Sequence, residues 1–96
     1  MNDKELYQQK KQAQLDEWQS EVDLLKARAS GARADAQLKM NKKINSLEIK
    51  IQEGKAKLSQ LAKSSDDAWD SIKDGVETAW DSLKHAFSDA TSKFKD

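Results

Sequence analysis

One histidine, no cysteine and seventeen Asp and Glu side chains are what this 96-residue chain offers for chemistry. His85 has no thiol to activate and stands in an acidic stretch, so the general-base role open to a histidine has no nucleophile to serve. Asp66 and Asp70 are one helical turn apart and could touch a cation weakly. A calcium or magnesium site needs a fuller cage of oxygens, and helical acids in a first turn are ordinarily a soluble face favoured by the helix dipole. Disulfides, thiolate catalysis and Cys-ligated zinc or iron–sulfur clusters are excluded by composition. Lys39, Lys42, Lys43, Lys50, Lys55 and Lys57 make a basic run that could meet phosphates. No aromatic interleaves it, so nucleic acid is disfavoured as a partner and any such binding would be nonspecific and salt-sensitive. The residues support no enzyme, no catalytic group, no metal ligand and no cofactor.

The elements that would carry these side chains are helices. The chain has no proline, three glycines and 35% charged residues against 36% apolar ones, the balance of an all-α or coiled-coil protein. Twelve of the apolar residues are alanines, which bury little area each, so a deep pocket is not expected. The start, MNDKELYQQK, has no apolar leader core, and no stretch is long and apolar enough to span a bilayer, so a cytoplasmic location is expected.

A net charge of zero hides a sorted pattern: net −3 over residues 1–25, +7 over 26–63 and −4 over 64–96. Blocks of opposite sign suit helices that lie against each other, and the acidic flanks are the expected partners of the basic block. From Trp18 onward, apolar or small residues recur at spacings of four and three: Trp18, Val22, Leu25, Ala29, Ala32, Ala36, Met40, Ile44, Leu47, Ile51, Gly54, Leu58, Leu61. This is a heptad seam with one extra four-residue step at Ala36–Met40–Ile44, a stutter that locally unwinds a supercoil. Leu24, Leu38 and Ile49 fall off it and hint at a second contact face. The seam crosses Gly31 in phase, which favours a continuous helix there, although Ser30–Gly31 could be a turn. Lys63-Ser64-Ser65-Asp66-Asp67 is the stronger break, with a lysine closing one helix and serine and aspartates opening the next.

The last third carries an eleven-residue repeat: AWDSIK over 68–73, AWDSLK over 79–84 and ATSKFK over 90–95. Eleven residues in three turns is close to the relaxed helical period, so Trp69, Ile72, Val76, Trp80, Leu83, Phe87 and Phe94 form a nearly straight apolar stripe. Such a stripe packs on another helix or lies in a lipid interface. Its polar face carries Asp66, Asp67, Asp70, Asp74, Glu77 and Asp81, which anionic headgroups repel, so helix packing is favoured over membrane binding.

The segments AQLDEW (13–18), ADAQLK (34–39) and DDAWDSIKDGVETAWDSLK (66–84) resemble a family of small bacterial coiled-coil stress-response proteins over almost the whole chain. The resemblance implies a bacterial, non-enzymatic, helical protein. More loosely, the tail is similar to the eleven-residue repeats of exchangeable apolipoproteins and late-embryogenesis-abundant proteins.

The expectation is therefore an all-α chain in two parts: a coiled-coil helix over residues 1–63 and an acidic amphipathic helix over 64–96 folding back on it as a helical hairpin. The alternative is a three-helix bundle with breaks near Gly31 and Ser64–Ser65. In the hairpin, Trp69, Trp80 and Leu83 pack near Leu61, Leu58 and Ile51, while Leu15, Trp18, Val22 and Leu25 stay uncovered. With Leu47 and the rest of the tail stripe, Ile72, Val76, Phe87 and Phe94, these make the expected interaction residues, and an uncovered stripe implies a homo-oligomer or binding of other proteins. A lipid surface, met through the C-terminal helix, is the alternative partner.

Overall fold

A computed structural model describes residues 2–93. Three helices run in order, α1 over Asp3–Ser30, α2 over Ala34–Lys63 and α3 over Trp69–Lys93, in a bundle measuring 51 × 20 × 18 Å. Asn2 caps α1, its side-chain oxygen accepting the Glu5 N–H at 2.9 Å, and Asp3 and Glu5 place negative charge in the first turn. At the other end the Gly31 N–H donates to the Arg28 carbonyl at 3.2 Å and the Ser30 hydroxyl to that of Ala27 at 2.8 Å. Three residues, 31–33, then turn the chain into α2. Between α2 and α3, Ser64 folds its hydroxyl onto the Leu61 carbonyl, and the Ser65 hydroxyl accepts the Ala68 N–H at 3.2 Å.

The all-helical reading holds, but the single helix expected over residues 1–63 does not form; the three-helix arrangement with breaks near Gly31 and Ser64–Ser65 does. A straight helix would leave the large side chains of α1 in water. Burying Leu15, Trp18, Val22 and Leu25 is favourable by about 1.5–3 kcal/mol each, against about 1–2 kcal/mol for each of the turn residues that must be fixed. The in-phase seam did not reveal the turn because both halves of an antiparallel hairpin show the same face to each other. Its weak stretch marks the place instead: Ala32, in the turn, is half-buried, and Ala36, in the first turn of α2, is exposed. Gly31 itself has φ of −93°, which any residue adopts.

One core joins all three helices. Leu15, Trp18, Val22, Leu25 and Ala29 come from α1, Ile44, Leu47, Ile51, Leu58 and Leu61 from α2, and Val76, Trp80, Leu83, Phe87 and Ala90 from α3. α2 is the central member, lying close along both neighbours, whereas the backbones of α1 and α3 hardly approach. At the middle of α2 the absence of a side chain on Gly54 lets the other two helices converge. A Cβ there would stand 3.2 Å from Leu83 Cδ1, 3.3 Å from Leu15 Cδ2 and 3.4 Å from Trp80 Cζ3.

Candidate functional site

The residues expected to form a contact surface are mostly the interior of this chain. Leu15, Trp18, Val22, Leu25, Leu47, Ile51, Leu58, Leu61, Val76, Trp80, Leu83 and Phe87 are buried, and Trp69 and Ile72 pack against them half-buried. Phe94 lies outside the described residues. The stripe on α1 that implied a second chain is covered by α2 and α3 of its own chain, so self-association no longer rests on it.

The seam between α1 and α3 is closed by large and polar side chains. Trp18 stacks on Phe87 with ring centroids 5.7 Å apart and planes 12° from parallel, and meets Trp80 at 6.0 Å. Nearer the N-terminus the Tyr7 hydroxyl donates to Glu77 Oε1 at 2.6 Å, and Lys11 Nζ reaches Glu77 Oε2 at 3.3 Å. Two ammonium groups flank the Tyr7 ring, Lys11 and Lys73 each 5.3 Å from its centroid, and Lys73 also lies 5.4 Å from the centre of Trp69. Lys4 donates to the Ser64 carbonyl, tying the start of α1 to the α2–α3 connection. These contacts form a clasp. Burial first, then the bond to Glu77, push the Tyr7 phenol well above its ordinary value. The same bond from Tyr7, with Lys11 adding to it, holds the Glu77 carboxyl below its ordinary range despite some desolvation.

Tyr7 and Lys11 were not foreseen as site residues. Their spacing carries a signal, because Tyr7, Lys11 and Leu15 continue the seam backward from Trp18 in steps of four and three, but the polarity of Tyr7 and Lys11 takes them out of an apolar pattern. Lys73, placed beside the stripe by the repeat, turns out to sit over Tyr7 and Trp69.

Next to the clasp is an open cleft of about 640 Å³ at the end of the bundle, lined by Lys4, Tyr7, Lys10, Asp66, Trp69 and Lys73 among others. Its groups can hold charge and rings in place. They do not pair a nucleophile with a base, and His85 is exposed elsewhere on α3. Among the described residues, no three of the His, Asp and Glu side chains are grouped so as to hold a metal ion. No helix among them is long and apolar enough to cross a membrane. Compared with known proteins, the chain matches no family model, no curated relative and no solved structure.

One more group stands out in the core. The indole Nε1 of Trp80 is buried without a hydrogen-bond partner. Leaving such a donor unpaired costs about 1–3 kcal/mol.

Proposed function

We propose that this chain is a non-enzymatic interaction protein whose α3 is an exchangeable helix, clasped against the α1–α2 hairpin and able to leave it for an apolar surface on a partner. The observation that carries this reading is the α1–α3 seam, where two helices are joined through side-chain tips and hardly through close backbone packing. A hairpin that holds one amphipathic helix in this way can take another of the same pattern, from a different protein or from a second copy. Self-association then enters as exchange of α3. The resemblance to bacterial coiled-coil stress-response proteins supports placing this role in stress tolerance in the bacterial cytoplasm.

The test is a fluorescently labelled peptide of residues 64–96 added to the whole protein, followed by anisotropy. Incorporation of the peptide, faster in Glu77→Ala than in the parent, supports exchange. Failure of the peptide to incorporate into either protein sinks it.

A lipid-surface role for the same helix is the second reading, favoured by the unpartnered Trp80 indole, which would find an acceptor at a headgroup interface. Tryptophan emission of a Trp18→Phe protein titrated with vesicles tests it, because only Trp69 and Trp80 then report. A blue shift on adding lipid supports it, and unmoved emission counts against it.

A further inference from the structure

The sorted charge blocks imply that the lysines of α2 face the acids of α3. The bundle arranges them otherwise. Along the edge of α2 nearest α3, Lys39, Lys43, Lys50 and Lys57 follow one another at steps of four, seven and seven, which on a helix is a single row about 27 Å long at 1.5 Å per residue. Only Lys43 meets an acid of α3, Asp89 at 2.7 Å, while Lys50 bonds the Ser82 hydroxyl at 2.8 Å. Farther along α3, Gly75 has open space where its side chain would be. Lys39 and Lys57 are exposed and have no ion-pair partner among the described residues.

Beside this row runs a second one. Leu38 and Ile49 are among the most exposed large apolar side chains of the described residues, at 68% and 55%, and their separation of eleven residues puts both on the same side of α2. Lys42, four residues after Leu38 and seven before Ile49, stands between them and is exposed. The outer side of α2 therefore combines two aliphatic side chains with a band of ammonium groups, and its acids are Asp35 and Glu53.

We infer that this face docks on an anionic phospholipid surface with the bundle closed. A bilayer takes both parts at once: headgroup phosphates meet the exposed Lys39, Lys42 and Lys57, and Leu38 and Ile49 enter the boundary below them. A nucleic-acid backbone would use the lysines and leave the aliphatics in water. The inference does not depend on release of α3, since every group it uses is already on the surface.

The experiment is co-sedimentation of the whole protein with vesicles of phosphatidylcholine alone and of phosphatidylcholine mixed with phosphatidylserine, with tryptophan emission read on the same samples. The expected result is binding to the phosphatidylserine vesicles alone, reversed by high salt, with emission unchanged because Trp18, Trp69 and Trp80 stay in the bundle. Lys39→Gln with Lys57→Gln should weaken partitioning roughly 25-fold, about fivefold per lysine, and Leu38→Ser with Ile49→Ser should weaken it with the lysines intact. These positions are exposed, and emission in buffer checks that each variant keeps its fold. Three results would overturn the inference: no binding to phosphatidylserine vesicles at low salt, binding unaffected by either pair of substitutions, or binding accompanied by a shift in emission. The last would support α3 as the lipid-binding element instead. Retention on heparin without vesicle binding would also overturn it, in favour of a soluble polyanion.

Discussion

Tyr7 and Glu77, seventy positions apart in the chain, share a 2.6 Å hydrogen bond in which the phenol donates to the carboxylate. The bond joins the beginning of the first helix to the first half of the third, across a seam where the two backbones hardly touch. It makes the one tyrosine of the sequence a reporter on that seam.

A tyrosinate absorbance titration should show this directly. The folded state holds the phenolic proton more tightly than the unfolded chain does, so Tyr7 contributes stability that is fully present below the unfolded value of about 10 and is lost as pH rises through the higher folded one. The native protein should titrate above free tyrosine and return to the ordinary value in denaturant. A normal titration in the native state would mean that the bond does not persist in solution.

Acid should loosen the same contact from the other side. The Glu77 carboxyl is lowered in the fold, so its contribution is present above the unfolded value of about 4.3 and disappears as pH falls through the folded one. Its side chain is 45% exposed, which limits the effect of Glu77→Gln at neutral pH to about 1 kcal/mol. Urea melts of parent and variant should converge as the pH drops through and below that range. A gap that stays constant with pH would place the stabilisation elsewhere.

Gly54 and Gly75 offer a matched pair. Replacing helical glycine with alanine gains about 0.5–1 kcal/mol from backbone entropy where there is room. Gly75→Ala has room and should gain it. Gly54→Ala puts a methyl against Leu15, Leu83 and Trp80, all at most 1% exposed and fixed by their neighbours. Overpacking of this kind costs about 1–3 kcal/mol and should outweigh the gain. Thermal melts that rank Gly54→Ala above the parent would show that α1 and α3 do not close on α2 as described.

Ser65→Ala removes the hydroxyl that accepts the Ala68 N–H in the turn leading into α3. A loss of about 1 kcal/mol is expected, the usual cost of deleting a cap. If equilibrium melts of the variant and the parent coincide, the hydroxyl is not acting as a cap.

The helices and most of the core were legible because periodicity needs only the order of residues. Heptad spacing picked out Trp18, Val22, Leu25, Ala29, Ile44, Leu47, Ile51, Leu58 and Leu61, and the eleven-residue repeat picked out Val76, Trp80, Leu83 and Phe87, all of them core residues, whereas Ala36 on the same seam is exposed. What periodicity could not say is which covered faces meet. A seam that passes through a three-residue turn without losing phase reads like one long helix, so the stripe at Leu15 to Leu25 looked uncovered when α2 of the same chain covers it. The clasp was missed because polar members of a seam, Tyr7 and Lys11, are invisible to a count of apolar residues. Charge sorting misled in a related way. Sums over segments ignore which flank of a helix carries the charge, and the acids Asp70, Asp74 and Asp81 make no ion pair with the α2 lysines.

The central place of α2 also sets an order of events during synthesis. Close backbone contacts join mainly helices that are neighbours in the chain, so each of the two main associations forms across a short turn, and the long-range α1–α3 contacts such as Tyr7–Glu77 follow from them. Low contact order of this kind goes with folding in roughly microseconds to milliseconds, while a ribosome adds on the order of 5–20 residues per second. The α1–α2 hairpin can therefore collapse as soon as Lys63 clears the exit tunnel, and it waits, with one groove empty, for α3 to emerge.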